Sequence, residues 1–87
     1  MMSELENIHI DLGNEYTFSI ARVKGHFQEV ALLHPDAGFI PVSEWWGAHD
    51  DDVIRYKDAI QLSTMLIVAY NYALDHDLSP YKVVDRD

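Results

Sequence analysis

Hydrophobic and polar residues alternate with a period of two through the first half of the chain. In residues 16–23, Tyr16, Phe18 and Ile20 share one side of an extended backbone, and polar side chains share the other. This pattern is typical of a half-buried β-strand. Residues 27–33 continue it after a reversal that contains Gly25, and they predict a partner strand. A weaker alternation in residues 1–14 predicts either a short strand or an arm lying over the core, and Gly13-Asn14 at its end predicts a turn.

A turn signal in residues 34–38 separates the second of these strands from a third. Pro35 presets φ for the second position of a type I turn, and Gly38 accepts the positive φ that closes such a loop. Residues 39–42 then predict a strand at the edge of the sheet, because Pro41 has no N–H to donate to a neighbour. Residues 15–43 therefore predict a three-stranded antiparallel meander, which becomes four-stranded if the N-terminal segment joins it.

The second half of the chain predicts one long helix. Residues 44–58 have the composition of an acidic loop with two tryptophans, within which residues 53–57 fit either a helical turn or an edge strand. Asp58 and Gln61 then have the spacing of a capping box, in which the Gln side chain returns to the Asp58 amide. They predict a helix over residues 59–76, followed by a polar tail in residues 77–87. The fold class is α+β, with residues 1–87 as a single domain.

The apolar surface of this helix is too wide to be buried by contact with one sheet. Its polar side chains fall in one narrow stripe, and the remaining apolar arc covers roughly 240°, against about 100° for a helix packed on one surface. A small sheet cannot cover such an arc, so we expect a second contact with the N-terminal arm, the Trp-containing loop or a second copy of the protein. A homodimer is the simplest of these solutions. The candidate interface residues are Ile67, Val68, Tyr70 and Leu74.

Composition and charge narrow the possible functions. Fifteen acidic residues against six basic ones give a net charge of −9, which disfavours direct binding to nucleic acid or membranes. This charge is compatible with a basic protein partner, and it is also explained by solubility alone. The chain has no cysteine, so it offers neither a disulfide nor a thiolate zinc site. No run of about 18 apolar residues is present, and we expect a cytoplasmic protein, located in the host cytosol if it is phage-encoded.

Two His/Asp clusters could bind an ion, but a simpler interpretation is available for each. His49 is followed by three aspartates, and His76 lies between Asp75 and Asp77. Consecutive residues rarely converge on one metal ion, and carboxylates before a helix, or a histidine at its C-terminus, are stabilising in themselves. A Cys nucleophile and a glycine-rich phosphate loop are both missing from the sequence. We therefore expect no catalysis, no cofactor and no metal.

The adjacent tryptophans suggest a protein contact. Neighbouring residues of an extended segment point to opposite faces, so Trp45 and Trp46 are not both expected in one core. Tryptophan is enriched among binding hot spots. The candidate partner-binding residues are Glu44, Trp45, Trp46, Asp50, Asp51 and Asp52.

Three classes of function fit these features. The first is a small acidic interaction module that acts by binding, and its sharper form is a phage-type inhibitor of a basic nucleic-acid-binding host protein, anti-CRISPR-like or mimicking nucleic acid. That form rests on analogy between classes of protein. The second is a structural or assembly component of a virus or mobile element. The third is a small-ligand or metal-binding domain that uses the His/Asp clusters.

Overall fold

The chain forms an antiparallel sheet with a long C-terminal helix packed on it. The computed structural model describes residues 5–23, 27–47 and 51–77. The elements in chain order are β1 (Leu5–Gly13), β2 (Tyr16–Val23), β3 (Phe27–His34), β4 (Gly38–Ile40), α1 (Val42–Trp45), β5 (Ile54–Arg55) and α2 (Ala59–Asp75). Strands β1 to β4 are neighbours in sequence order, and β5 also pairs with β3. The predicted α+β meander is confirmed, and its N-terminal segment is a strand.

The β1–β2 hairpin begins the sheet and has a tight turn. Ile8 lies opposite Ile20, and Ile10 lies opposite Phe18, so the apolar residues of both strands share one face. The register shifts between Asp11 and Gly13, and Gly13, Asn14 and Glu15 have φ values of 87°, 54° and 70°. Glycine and asparagine tolerate this left-handed backbone better than other residues, which accounts for the turn signal in the sequence.

Strand β4 is shorter than predicted. The turn before it is confirmed, because the Ala37 N–H donates to the His34 carbonyl at 3.1 Å and Gly38 has a φ of 72°. The strand ends at Ile40 because Pro41 cannot donate to the ladder, and its φ of −55° leads directly into α1. The prediction of a strand over residues 39–42 is therefore wrong at its last two positions.

The segment predicted as a loop over residues 44–58 contains regular structure. Helix α1 overlaps its start, and residues 54–55 form the edge strand that was one of the two alternatives for residues 53–57. Strand β5 pairs with Glu29 and Val30, whereas β4 pairs with residues 32–34. The other edge of β3 is occupied by β2, so β4 and β5 lie end to end along the same edge of β3.

The core lies between one face of the sheet and α2. Tyr16, Phe18 and Leu32 from the sheet are at most 1% exposed, and Met65 and Ala69 from the helix are fully buried. The alternation of residues 16–20 thus identified the inner face of β2 correctly. The opposite face of the sheet carries no helix among the described residues.

Helix α2 begins at a capping box, as predicted, with one difference. Asp58 Oδ1 accepts a hydrogen bond from the Gln61 N–H at 2.8 Å, but Gln61 Oε1 accepts from the Lys57 N–H at 2.9 Å and not from that of Asp58. The helix ends at Asp75, with His76 as its C-cap. Within the described ranges, neither helix combines the length and the apolar character needed to cross a membrane.

Replacement of Asp58 tests this cap. We expect Asp58→Ala to lower the free energy of unfolding by about 1 kcal/mol, because the Gln61 N–H loses its acceptor, and Asp58→Asn to retain most of the stability. Urea denaturation measures both. Asp52→Ala removes the same charge from an exposed position and is the control, so an equal loss in both alanine variants would argue against the cap.

Candidate functional site

Two turns and the end of α2 meet at one end of the domain. The β1–β2 and β3–β4 turns lie side by side, because Thr17 pairs with Asp11 on one side and with Leu33 on the other. The C-terminus of α2 reaches the same place, since the Tyr16 hydroxyl donates to the His76 carbonyl at 2.7 Å. The acidic residues on these segments and on the adjoining α1, which together we call the acidic end, are Asp11, Glu15, Asp36, Glu44, Asp75 and Asp77.

The β1–β2 hairpin supplies partners for the last turn of α2. The carbonyl groups of a final helical turn accept no hydrogen bond from within the helix, so they need donors from elsewhere. Asn14 Nδ2 donates to the Ala73 carbonyl at 3.0 Å, and the Tyr16 hydroxyl donates to that of His76. The helix terminus is therefore fixed to the sheet by polar contacts as well as by the core.

Aromatic contacts connect α2, α1 and β2 at the acidic end. The Tyr72 hydroxyl donates to Glu44 Oε1 at 3.0 Å. The His76 ring stacks on Tyr72 at a centroid distance of 3.9 Å, and Tyr16 meets Tyr72 edge to face at 5.9 Å. Tyr16 also contacts the buried His34 ring at 4.7 Å. These contacts hold Glu44 in a defined position beside the helix terminus.

Burial, and to a smaller extent the negative charge of this end, raise the pKa values of Tyr16 and Tyr72. Burial, the hydrogen bond to Glu44 and the charge of that carboxylate raise the pKa of Tyr72 to about 12. Burial also raises the pKa of Tyr16, with smaller contributions from the charges of Asp77 and Glu44. In both cases the surroundings disfavour a second negative charge.

The basic residues lie at the opposite end of the domain. Within the described ranges, lysine and arginine occur only at Arg22, Arg55 and Lys57. Arg22 forms an ion pair with Glu6 at 3.0 Å, and Arg55 is 3.7 Å from Glu29. Arg22 is six residues along β2 from Tyr16, which corresponds to about 20 Å. The described basic residues are thus remote from the acidic end, and they lie beside the remaining described carboxylates, which are Glu6, Glu29, Asp51, Asp52 and Asp58.

The tryptophan pair occupies the core and its border. Trp45 is 4% exposed and packs edge to face on Phe18 at 6.0 Å. Trp46 is partly buried, packs against the core and lies 6.2 Å from Trp45. The expected extended backbone is wrong, because residues 42–45 are helical and neighbouring side chains then diverge by only about 100°. Trp45 is thus a core residue in this structure, and a partner role for either tryptophan stays a prediction.

The other predicted partner-binding residues are distributed over two places. Glu44 belongs to the acidic end. Asp51 and Asp52 are exposed and line a shallow recess with Glu29 and Arg55 beside β5. The Asp51 carbonyl accepts a hydrogen bond from the Val42 N–H at 2.9 Å, which fixes this segment to the start of α1. Asp50 lies outside the described residues.

The His/Asp clusters do not form a metal site in the part of the chain that the structure describes. Within it, no group of three or more His, Asp or Glu side chains has the arrangement needed to hold an ion. His76 stacks on Tyr72, and its Nδ1 is 3.0 Å from the Tyr72 carbonyl oxygen. His49 lies outside the described residues, so an ion site at the first cluster is not tested.

An exposed apolar stripe runs along the outer side of α2. Its residues follow one another at intervals of three and four positions, and all of them are exposed. We call this set the outer stripe, and it consists of Ile60, Ser63, Ile67, Tyr70 and Leu74. Ile60 is 79% exposed and Ile67 is 59% exposed. Three of the four residues predicted for a dimer interface belong to this stripe. The fourth, Val68, is partly buried and packs against the core.

The uncovered face of the sheet forms a second feature that the sequence did not indicate. A recess of about 420 Å³ lies there, lined by residues that include His9, Thr17, Ser19 and Leu33. Phe39 on the same side is 48% exposed. These side chains are mostly neutral, and no carboxylate lines this recess.

The acidic end was also missed in the sequence, because its members are separated by up to 66 positions. A signal was nevertheless present. Both predicted turns carry carboxylates, and alternate turns of an antiparallel meander lie at the same end of the sheet. Comparison of the chain with protein-family models, curated proteins and solved structures finds no match.

The raised pKa of Tyr72 predicts a change in stability at alkaline pH. Unfolded Tyr72 loses its proton near pH 10.0, and folded Tyr72 near pH 12. Between these values deprotonation favours the unfolded state, so the stability that Tyr72 contributes is complete below pH 10 and declines as the pH rises toward 12. We expect wild type to be about 1 kcal/mol more stable than Tyr72→Phe at neutral pH, and to lose this advantage above pH 10.

Denaturation of both proteins as a function of pH measures the difference. Tyr70→Phe is the control, because Tyr70 lies on the same helix but on its exposed side. A difference between wild type and Tyr72→Phe that does not change with pH would contradict the assigned role of the Tyr72 hydroxyl.

Proposed function

We propose that the protein is a binding domain that acts without catalysis and recognises a basic protein through its acidic end. The observation that supports this proposal is the distribution of charge along the domain. Six carboxylate residues and no described lysine or arginine lie at one end, whereas the other five described carboxylates share the rest of the domain with the basic residues, of which Arg22 is about 20 Å away. A charge needed only for solubility would not have to be free of basic neighbours at one end.

The distance between the two ends has an electrostatic consequence. Charges on a protein surface are screened over about 8 Å at physiological ionic strength. A partner that approaches the acidic end therefore experiences its carboxylates while Arg22, Arg55 and Lys57 are screened. The net charge of −9 adds long-range attraction for a basic molecule, which increases the rate of association more than the final affinity.

The acidic end is also positioned for recognition. Its carboxylates lie on two hairpin turns, on α1 and at the end of α2, and the contacts of Tyr16, Asn14 and Tyr72 connect these elements. Charges held on fixed elements lose less conformational freedom on binding than charges on a mobile segment. Carboxylates fixed in this way could occupy the phosphate-binding surface of a nucleic-acid-binding protein, which is the inhibitor hypothesis in its sharper form.

A triple substitution tests the location of the binding surface. We expect Asp36→Asn, Glu44→Gln and Asp75→Asn, combined in one variant, to weaken binding of a fluorescent oligolysine peptide by about tenfold, since each exposed charge pair contributes about 0.2–1 kcal/mol. Fluorescence anisotropy at low salt measures the affinity. Glu44→Gln retains an oxygen that can accept from Tyr72, so the fold is preserved.

The matched control neutralises three carboxylates elsewhere. Asp51→Asn, Asp52→Asn and Asp58→Asn change the net charge by the same amount, and asparagine also caps a helix. Equal weakening by the two variants would contradict the proposal, because it would show that only net charge matters. The same pair of variants, used as baits in cell lysate, distinguishes proteins that bind the acidic end from those that bind any anionic surface.

A further inference from the structure

We propose that the outer stripe of α2 is the interface of an antiparallel homodimer. This inference is independent of the basic partner, because it concerns a different surface. The stripe residues are Ile60, Ser63, Ile67, Tyr70 and Leu74, and their spacing of 3, 4, 3 and 4 residues is that of the a and d positions of a heptad repeat. In helices that pair side by side, this spacing forms the contact seam.

Helix α2 already uses its opposite side for the core. Met65, Ala69 and Ala73 are fully buried against the sheet, and Leu62, Leu66 and Tyr72 pack beside them. The outer stripe is therefore a second apolar face, and Ile60, at 79% exposure, and Leu74, at 52%, mark its two ends. Clustered apolar exposure of this kind is typical of an interaction surface and not of scattered surface residues.

The chemistry of the stripe fits a second copy of the same chain. Helix α2 carries no charged residue between Ala59 and Leu74. Two copies that each carry a charge of −9 repel one another, and this uncharged face is a place where they can meet with least repulsion. The Ser63 hydroxyl donates to the Ala59 carbonyl at 2.8 Å, so burial of Ser63 leaves no unsatisfied donor and provides space for a larger side chain.

The distribution of charge selects the antiparallel orientation. A parallel pair would place the two acidic ends side by side, which like charges oppose. An antiparallel pair places the acidic ends far apart. The helix dipoles also favour this arrangement. In this orientation Ser63 can lie opposite the partner's Leu74, and Ile67 opposite the partner's Tyr70, so that small and large side chains alternate.

The length of α2 indicates a dimer of moderate strength. Its 17 residues span about 26 Å. A pair in contact over this length buries on the order of 1,000 Å² in total, which is the lower bound for a specific interface. We therefore expect dissociation in the micromolar range and not an obligate dimer.

Sedimentation velocity over micromolar concentrations tests the interface. We expect Ile67→Glu to raise the dissociation constant of the dimer at least tenfold. The circular dichroism spectrum is expected to stay unchanged, because Ile67 is exposed. Thr64→Glu introduces the same charge on the polar side of the helix and is the control. A wild type that stays monomeric through hundreds of micromolar, or equal dissociation in both variants, would overturn the proposal.

Spin labels determine the orientation. The chain contains no cysteine, so single thiols introduced by Ala59→Cys and Asn71→Cys can be labelled selectively. In an antiparallel pair the label separation at position 59 exceeds that at position 71 by on the order of 15 Å, whereas a parallel pair gives equal separations and would overturn the assignment. The triple variant of the acidic end is expected to stay dimeric, so the two proposals can fail separately.

Discussion

The close packing of α2 on the inner face of the sheet determines the rest of the structure. The contact runs along Met65, Ala69 and Ala73, all fully buried. Two of these residues are alanine, and large side chains that fill the core come from the sheet, chiefly Tyr16 and Phe18, and from Trp45 of α1. A side-chain enlargement at either alanine would separate the layers, because protein cores have little free volume.

This arrangement explains why both ends of α2 are fixed by polar contacts. The helix begins at Asp58, whose carboxylate caps it, and ends where Asn14 and Tyr16 of the first hairpin donate to its last carbonyls. It also explains the outer stripe. Because the sheet covers only the side of the helix that contains Met65, Ala69 and Ala73, the apolar residues at positions 60, 67 and 74 remain outside. Core formation and the proposed dimer thus use two sides of one helix that is apolar over most of its circumference.

Features that depend on local pattern were predictable from the sequence. The period of two in residues 16–23, the capping pair Asp58 and Gln61, and the turn around Pro35 each depend on neighbouring residues and were located correctly. Features that depend on the path of the chain were not. The two tryptophans were assigned to opposite faces because an extended backbone was assumed, whereas α1 directs both toward the core.

The acidic end also depends on the path of the chain and could not be predicted from local sequence pattern. Each of its carboxylates resembles an ordinary surface residue in the sequence, and only the meander topology brings Asp11, Asp36 and Asp75 together. The excess apolar arc of α2 was predictable, because it follows from the period of a helix. The part of that arc that stays exposed was not predictable, because only the position of the sheet distinguishes Val68 from the outer stripe.

The two proposed surfaces are compatible with each other for a geometric reason. The acidic end lies at the C-terminus of α2, and the outer stripe runs along its side, so a contact at one leaves the other accessible. In an antiparallel pair the acidic ends face away from each other and are separated by roughly the length of the helix, about 26 Å. A dimer of this form offers two recognition surfaces that point in opposite directions. Such a dimer would bridge two basic molecules and would not bind two sites on a single small one, because a single small partner cannot reach both ends.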